Sequence, residues 1–347
     1  WLMGYYPGYQ TGDLPVTDVR FDLMTHVAVG AVLPNPDGSL DTTFYKDAVA
    51  GPAFAQDLAS RTRQAGKKAI LMVGGAGAHD GFVAAASDAN RATFVTNLVG
   101  FAQQNGFDGI DLDWEPLPDS ELDSFAALAS ALRAAWPDAV LTLPLNPINP
   151  NLDLPLDPRL GAISQSLDQL NVMSYSMAGA YDGWKSWHHS PLAGQTPATP
   201  TSISTSVDAY LAAGIPAARL GIGEGFYGLC YTAPVTGPLQ DLGGATSSGD
   251  DNQLSYRSIL STYLPAATKT WDAAASSPYL TFAQPTGPLG CTYLSYTDEQ
   301  AIAAHTDYVK QKGLGGAIVW TINEGHVPTA PANERDPLLA ALWNGLK

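Results

Sequence analysis

Eight short apolar runs, each bounded by glycine, proline or polar residues, recur along the 347-residue chain and constrain its fold more than any other feature. They are Leu2–Tyr6, Thr25–Val32, Ala69–Gly74, Gly109–Trp114, Val140–Leu145, Leu170–Tyr175, Leu220–Phe226 and Ala317–Ile322. Between most of them lie stretches with helical spacing of apolar residues, such as Phe94–Ala102 and Leu122–Ala135. Strand and helix units repeated in this way predict an α/β fold, specifically a (β/α)8 TIM barrel.

The interval between the seventh and eighth runs is much longer than the others and predicts an insertion. The segment Leu229–Thr292 is rich in Gly, Pro, Ser and Thr, yet it contains the strand-like pieces Tyr279–Phe282 and Thr292–Tyr296. This pattern predicts a small α+β module rather than a loop. We therefore expect a barrel formed by residues 1–228 and 293–347, with residues 229–292 as the inset.

The only two cysteines of the sequence, Cys230 and Cys291, lie at the two ends of this inset. In a secreted chain they would form a disulfide, which stabilises a fold by roughly 4 kcal/mol for a loop of this length if the effect is chain entropy. The alternative is two unrelated buried thiols. The even cysteine count and the low lysine content favour the disulfide and a secreted protein.

The charge of the chain limits its partners. A formal net charge of −16, with 17 Lys plus Arg, argues against nucleic acid and anionic membranes, because both are bound through basic patches. It favours a neutral or cationic substrate. No run approaches the roughly 18 apolar residues that a membrane span requires. The sequence starts at Trp1 without a hydrophobic leader, as expected of a secreted chain after processing, and we expect a soluble monomer.

The fourth run ends in the segment Asp108–Glu115, which carries acidic residues at alternate positions, Asp111, Asp113 and Glu115. In a strand, residues two apart share a face, with Cα atoms roughly 6.5 Å apart. Carboxylates this close cannot all ionise cheaply, so at least one pKa is raised. Active residues of such barrels lie at the carboxyl ends of strands, which is where Glu115 falls. Asp108 has the opposite parity and is expected to point away from the barrel axis.

Other interpretations of the polar motifs are a solvent-exposed acidic edge, a metal site and a dinucleotide site. Apolar neighbours such as Ile110 and Leu112 indicate that the acidic strand is buried, and no His is near enough in sequence to complete a transition-metal set. A Ca²⁺ site would need more oxygen ligands from elsewhere in the chain. The pair His188–His189 lacks a third ligand. Gly223–Gly228 matches the dinucleotide fingerprint, but no helix-like sequence follows it. We expect no metal and no cofactor.

The pattern Asp108-x-x-Asp111-x-Asp113-x-Glu115 resembles the D-x-x-D-x-D-x-E signature of family 18 glycoside hydrolases, the chitinase family. The similarity covers most of the chain and follows the same order along the strands. It continues in Gly4-Tyr5-Tyr6, Gly74-Gly75, Met173-Ser174-Tyr175, Gly225-Phe226-Tyr227-Gly228 and Gly316–Trp320. The inset, with Tyr256-Arg257 and Trp271-Asp272-Ala273, resembles the chitinase insertion domain of one subfamily.

The resemblance implies a catalytic set of four residues. A substrate with a 2-acetamido group can supply its own nucleophile, which leaves one carboxylic acid to protonate the leaving oxygen. Glu115 would be this acid, Asp113 would accept the acetamido N–H and stabilise an oxazolinium intermediate, and Asp111 would share a proton with it. Tyr175 would donate a hydrogen bond to the acetamido oxygen.

Aromatic side chains are expected to bind the sugar, because their faces stack on the apolar faces of pyranose rings. The resemblance places Trp320 as the floor beneath the sugar at the cleavage site, and Met173 in the acetamido pocket. Trp184 and Trp187 follow the sixth run, and for them capping of the core is an equal alternative. The expected substrate-binding residues are Tyr5, Met173, Tyr227, Trp320, Trp184 and Trp187.

The chain departs from the family pattern beside the expected site. Met72 replaces a serine on the third strand, so Tyr5 has to carry more of the charge on the acidic strand. Ser176 and Leu229 replace an aspartate and an arginine together, and replacing both members of a buried ion pair by neutral residues is often nearly free. Loss of this negative charge predicts a lower pKa for the catalytic acid and an acid-shifted activity profile.

The resemblance predicts a chitinase that hydrolyses β-1,4 linkages between N-acetylglucosamine units with retention of configuration, with Glu115 as general acid/base. One alternative keeps this chemistry and changes the substrate, namely an endo-β-N-acetylglucosaminidase acting on N-glycans. The other is a chitin-binding lectin on the same barrel, a class that typically lacks the catalytic Glu. Hydrolysis of chitin oligomers distinguishes the first from the other two.

Overall fold

Eight parallel strands close into a barrel in the computed structural model, which describes residues 1–150, 154–249 and 253–347. The barrel strands, called first to eighth below, are Leu2–Pro7, His26–Pro34, Lys68–Gly74, Gly109–Asp113, Val140–Leu145, Gln169–Val172, Leu220–Gly225 and Gly316–Trp320. The first strand pairs with both the second and the eighth, since Gly4 lies opposite Val27 on one side and Val319 on the other. The predicted (β/α)8 barrel is confirmed.

The strands are apolar on both faces because both faces are covered. Side chains such as Met3, Ile70 and Ile318 meet inside the barrel, where they form a small core of their own. Side chains of opposite parity, such as Leu71 and Ile110, belong to the larger core that includes residues of the surrounding helices. A short strand, Leu40–Asp41, pairs with the second barrel strand in the antiparallel sense.

Helices cover the outside of the barrel. In Leu122–Ala135, buried side chains recur three or four residues apart from Leu122 to Leu132, which is the spacing of one helix face. The α-helices are Ala50–Gln64, His79–Ala85, Arg91–Gln104, Leu122–Ala135, Arg159–Ile163, Ile203–Ala212, Tyr256–Ser258, Glu299–Lys312, Ile322–Gly325 and Pro337–Leu346. A π-helical turn spans Ile259–Tyr263, and 3-10 turns span Gly8–Gln10, Val16–Asp18, Phe21–Leu23, Asp119–Glu121, Ser164–Ser166, Ala217–Arg219 and Leu264–Ala266. Across the three described ranges, no helix is both long and apolar enough to cross a bilayer.

A second, five-stranded antiparallel sheet follows the seventh barrel strand. Its strands are Gly228–Tyr231, Ser247–Ser248, Thr268–Asp272, Ser277–Thr286 and Cys291–Tyr296. A disulfide joins Cys230 to Cys291, with Cα atoms 5.4 Å apart, so the paired alternative is confirmed. Both predicted strand-like pieces lie in this sheet, but its first strand begins before residue 229 and its last strand ends after residue 292. The division of the chain into two domains stays a prediction.

Candidate active site

The acidic strand ends at the mouth of the barrel. Asp111 and Asp113 belong to the fourth strand, and only 0% and 3% of their surfaces are exposed. Glu115 lies two residues beyond the strand and is half-buried. The carboxyl groups therefore extend from the barrel core towards the opening, as the alternation predicts, although a loop rather than the strand carries the last of them.

Two hydroxyl groups hold the carboxylate of Asp111. The hydroxyl of Tyr5 donates to Oδ2 over 2.8 Å, and the hydroxyl of Thr142 donates to Oδ1. The parallel register places Thr142 on one side of Asp111 and Met72 on the other, so the fifth strand supplies the hydroxyl that the third strand lacks. Burial raises the pKa of Asp111 to about 6, against the lowering effect of the two hydroxyl groups. The sequence pattern did not single out Thr142.

The other two carboxyl groups share a hydrogen bond. Burial, followed by repulsion from Glu115 and Asp111, raises the pKa of Asp113 well above its usual range. Burial also raises the pKa of Glu115, while the hydrogen bond to Asp113 lowers it. Within the described residues, no basic side chain offsets the charge of the three. The cluster therefore keeps a proton to higher pH than isolated carboxyl groups would, and Glu115, its most exposed member, is placed to donate a proton to a ligand.

A cavity of about 520 Å³ opens above this cluster. Its lining includes six of the ten residues expected to act in catalysis or substrate binding: Asp113, Glu115, Met173, Tyr175, Tyr227 and Trp320. Tyr5 is different, because only 2% of its surface is exposed and its ring lies 5.5 Å from that of Trp320. That Tyr5 binds substrate stays a prediction. The residue points into the barrel, beneath the floor of the cavity, and its hydroxyl reaches Asp111 instead.

The sixth strand ends at Val172, three residues earlier than predicted. Beyond this point the side chain of Ser174, rather than the backbone, is hydrogen-bonded to the seventh strand. The hydroxyl of Ser174 donates to the carbonyl of Gly223 over 2.8 Å and accepts from the N–H of the same residue over 2.9 Å. The next residue, Tyr175, then lines the cavity. The seventh strand leaves room for it, since a Cβ on Gly223 would lie only 2.8 Å from Cε1 of Tyr175.

Uncharged side chains contact one another beside the cavity at the positions where the chain departs from the family pattern. The hydroxyl groups of Ser176 and Tyr227 are hydrogen-bonded at 2.6 Å. Leu229 is buried beside them, and a Cβ on Gly249 would meet Ser176 Oγ at 3.4 Å and Leu229 Cδ1 at 3.5 Å. His189 supports the pair from behind, with its ring 4.6 Å from that of Tyr227 and its Nδ1 accepting the N–H of Ser176 over 3.3 Å.

Two exposed tyrosines that the sequence pattern did not single out form one rim of the cavity. Tyr9 is 41% exposed and Tyr45 is 48% exposed, and their rings meet edge-on at 5.3 Å. Tyr45 is presented by the wholly buried Phe44, and both of these residues have left-handed backbone conformations, with φ of 59° and 49°. The one sequence signal is that Tyr9 lies two residues after the end of the first strand.

A second cavity of about 300 Å³ is lined by Ser176, the hydrogen-bond partner of Tyr227 in the lining of the first. It is lined by Trp184 and by Tyr181, whose rings meet at 5.1 Å. Trp187 does not share this position, because only 1% of its surface is exposed and its indole N–H donates to the carbonyl of Thr201. Trp187 packs in the core beneath the second sheet, as the core-capping alternative expects, and its contact with substrate stays a prediction.

The remaining expectations concern polar residues outside the cavities. Asp108 accepts the N–H of Ala69 over 3.0 Å and pairs with Lys68 at 3.3 Å, so it faces the neighbouring strand as its parity predicts. His188 is buried and hydrogen-bonded to Asp272 at 2.9 Å. In the ranges that the structure describes, no group of three or more His, Cys, Asp or Glu side chains could hold a metal ion.

Comparison with known sequences relates the chain to one family. The sequence model of glycosyl hydrolases family 18 matches residues 2–325. Chitinase A1 of Niallia circulans is 28% identical over 314 residues, which cover 79% of this chain and 44% of that protein. Chitinase 1 of Aphanocladium album is 28% identical over 359 residues, which cover 91% and 78%. The chain thus spans less than half the length of the first of these relatives.

Solved structures share the fold over the whole chain. The Group IV chitinase of Ostrinia furnacalis in complex with allosamidin superposes with a TM-score of 0.83 at 21% identity, covering 99% of this chain and 98% of that one. The chitinase RmChi1 of Rhizomucor miehei superposes with a TM-score of 0.81 at 24% identity, covering 100% of both chains. At these identities the likeness shows the fold alone. The match of the family's sequence model over residues 2–325 shows that the chain belongs to glycosyl hydrolases family 18.

Proposed function

We propose that this chain is a chitinase that hydrolyses β-1,4 linkages between N-acetylglucosamine units with retention of configuration. The observation that carries the proposal is the graded set of carboxyl groups beneath an open cavity, with Asp111 and Asp113 buried and Glu115 facing the opening. A single exposed acid is sufficient where the acetamido group of the substrate supplies the nucleophile. Family membership and the chitinases among the relatives support the same activity.

In the first step, Glu115 donates its proton to the glycosidic oxygen as the bond from that oxygen to the anomeric carbon breaks. The acetamido oxygen of the same sugar bonds to the anomeric carbon and closes an oxazolinium ring. Asp113 accepts the acetamido N–H, and the hydroxyl of Tyr175 donates to the acetamido oxygen and aims it. The positive charge that develops lies against a cluster with no cation among the described residues, which stabilises it.

In the second step, water attacks the anomeric carbon and gives its proton to Glu115, which now acts as the base. The ring opens and the acetamido group is restored. Two inversions at one carbon retain the configuration. Asp111, with a pKa of about 6, buffers the charge of Asp113 throughout both steps.

The surroundings of the centre suit a polymer. Trp320, Tyr9 and Tyr45 line the catalytic cavity, and Tyr181 and Trp184 line the second cavity. Aromatic side chains in the linings of both cavities support a chain-like substrate longer than one sugar.

We infer further that the protein acts outside the cell as a monomer. The disulfide between Cys230 and Cys291 supports the location, because such bonds persist in oxidising compartments.

The test is digestion of N-acetylchitotetraose with the anomeric protons of the new reducing ends followed by NMR. The β-anomer should appear first and mutarotate later, and early α-anomer would contradict retention. A glycoprotein digested in parallel should keep its N-glycans. Release of N-glycans without cleavage of the tetramer would instead identify an endo-β-N-acetylglucosaminidase, and binding of the tetramer without turnover would identify a lectin.

A further inference from the structure

Trp114 belongs to the acidic motif but has no part in the chemistry described so far. It lies between Asp113 and Glu115 in sequence, and its side chain points the other way, into the core between the strands and the helices, with 1% of its surface exposed. Its ring stacks on Phe82 at 4.9 Å and meets Phe125 edge-on at 6.1 Å. Because the three residues of the motif are consecutive, the contacts that fix this ring also fix the backbone from which Glu115 projects.

Glu121 binds the polar end of the same ring. The indole N–H of Trp114 donates to Oε2 of Glu121 over 3.0 Å, and 19% of the Glu121 side chain is exposed. Glu121 ends the 3-10 turn Asp119–Glu121, which lies in the loop that begins with Glu115 and leads to the next helix. The hydrogen bond therefore joins the end of this loop to its start, with the catalytic acid in between.

His79 connects the carboxylate of Glu121 to the neighbouring loop. Its Nε2 lies 3.0 and 3.1 Å from the two oxygens of Glu121, and its Nδ1 lies 3.1 Å from Oδ1 of Asp80. A neutral imidazole has one N–H, so only the protonated ring donates to both carboxylates. The hydrogen bond to Asp80, followed by the charge of Glu121, raises the pKa of His79 against the opposing effect of burial. His79 also begins the helix His79–Ala85, which carries Phe82.

The described residues that line the catalytic cavity include none of Trp114, Glu121 and His79, so an effect of these residues on the reaction has to pass through Glu115. We propose that Glu121 is a positioning residue, which together with His79 fixes Trp114 and thereby holds the carboxyl group of Glu115 at the glycosidic oxygen. This inference rests on the proposed function, in which Glu115 is the proton donor. A displacement of about 1 Å at a reacting group can cost about 100-fold in rate, while contacts that only bind the substrate stay intact.

The test is the kinetics of Glu121→Ala on N-acetylchitotetraose, together with urea unfolding of the same protein. The kcat of the folded protein should fall about tenfold, and KM should change by less than about twofold, since no substrate contact is removed. A lower free energy of unfolding with an unchanged kcat would mean a structural role and overturn the proposal. A higher KM with an unchanged kcat would overturn it as well.

Glu121→Gln keeps an oxygen that accepts the indole N–H and provides a second variant if Glu121→Ala does not fold. Its kcat should stay within about threefold of that of the unaltered protein, because an uncharged acceptor weakens the hydrogen bond without removing it. A loss of tenfold or more in this folded variant would show that the hydrogen bond to Trp114 does not carry the effect.

The matched control is Asp119→Ala, which removes an exposed carboxylate from the start of the same turn and should leave kcat and KM unchanged. An equal loss in Asp119→Ala and Glu121→Ala would assign the effect to the turn as a whole and overturn the proposal. The double variant His79→Ala with Glu121→Ala should lose no more rate than Glu121→Ala alone, because both residues act through one carboxylate. Losses that multiply would contradict this shared route.

The pH dependence of His79→Ala tests the state of the ring. The ratio of kcat between the unaltered protein and this variant should be larger at about pH 5, where the ring is charged, than at about pH 9. The titration of the catalytic carboxyl groups is common to both proteins and cancels in the ratio, so a constant ratio would overturn the role of His79. If the unaltered protein does not cleave the tetramer, the proposed function and the positioning role both fail. Cleavage by the unaltered protein with an equal kcat in Glu121→Ala would overturn the positioning role alone.

Discussion

Buried carboxylates occur in two regions of this molecule with opposite surroundings. At the barrel mouth, Asp111 and Asp113 have only hydroxyl and carboxyl neighbours as partners in the described part of the chain. Behind the barrel wall, Glu224 forms a wholly buried pair with His305, with 2.9 Å between Oε1 and Nδ1. A buried carboxylate with a basic partner belongs to the fold, whereas carboxylates gathered without one cost stability and need a chemical reason to persist.

The parity of the strands decides which region a residue joins. Glu224 points outward from the seventh strand towards the helix Glu299–Lys312, which carries His305. Its neighbours Gly223 and Gly225 face inward, where their missing side chains leave space for Tyr175. Adjacent residues of the seventh strand therefore have different roles. Glu224 contributes to the packing of the strand against the helix, whereas Gly223 and Gly225 shape the cavity.

The largest effect should come from Glu115→Gln. Removing the proton donor is expected to lower kcat on N-acetylchitotetraose about 10³-fold, while the free energy of unfolding changes little because Glu115 supports no other element. Initial rates and thermal unfolding measure the two quantities. The matched control is Asp108→Asn, on the outward face of the same acidic motif, which should keep its rate. Similar losses of rate in both variants would remove the distinction between the two faces.

The next effect concerns the buried pair of Glu224 and His305. Glu224→Leu leaves His305 buried without its partner and should lower the free energy of unfolding by about 3 kcal/mol, with kcat of the folded protein little changed. Urea titration measures the loss. The double variant Glu224→Leu with His305→Leu should recover part of it, because neither residue then leaves a buried polar group without its partner. Strictly additive losses would show that the two residues do not act as a pair.

A smaller effect, on the pH dependence of the rate, is expected from the hydroxyl groups that hold Asp111. The hydroxyl groups of Tyr5 and Thr142 lower the pKa of Asp111, which lies at about 6, so Tyr5→Phe or Thr142→Val should raise it further. The acid limb of the kcat/KM profile should then move to higher pH by about half a unit to one unit, which is about 1 kcal/mol. The pH–rate profile of each variant checks this. An unmoved limb in both would mean that Asp111 does not control the ionisation of the cluster.

The smallest effect is a change of stability with pH. The pKa of Asp113 is raised in the folded state, so its ionisation penalises folding in full above the raised pKa, and the penalty disappears as the pH falls to the usual value near 3.8. Asp113→Asn should therefore be more stable than the unaltered protein by about 1 kcal/mol at pH 8, with no advantage near pH 4. Urea unfolding at both pH values measures the difference. An advantage that is larger at acid pH would have the wrong sign.

The parts of the fold that the sequence predicts well are those that depend on neighbours along the chain. Buried parallel strands are continuous apolar runs, so Val140–Leu145 agrees residue for residue with the structure, as does the helix Leu122–Ala135. The carboxyl cluster follows from alternation within one strand. For Trp187 the sequence left two alternatives open, because nothing local shows whether a loop tryptophan meets a groove or packs beneath a second sheet.

Contacts between elements were beyond the sequence. Thr142 meets Asp111 only through the register of the fourth and fifth strands, and a shift of one residue would turn its hydroxyl to the outside. Glu224 and His305 are 81 residues apart, so the purpose of a charged residue in the seventh strand is visible only once the helix is docked. The chemistry of the centre was thus more predictable than its support.

Tyr227 also has a meaning for protein engineering. With Phe226 it forms the entire connection between the seventh barrel strand, Leu220–Gly225, and the first strand of the second sheet, Gly228–Tyr231. Because the linker has only two residues, a tilt or exchange of the second sheet would also move the ring of Tyr227, which lines the catalytic cavity. A transplanted sheet would preserve the catalytic wall if it kept this linker length, and one added residue would uncouple the two. Groove width in this scaffold is therefore a property of chain connectivity, available to redesign separately from the acid that does the chemistry.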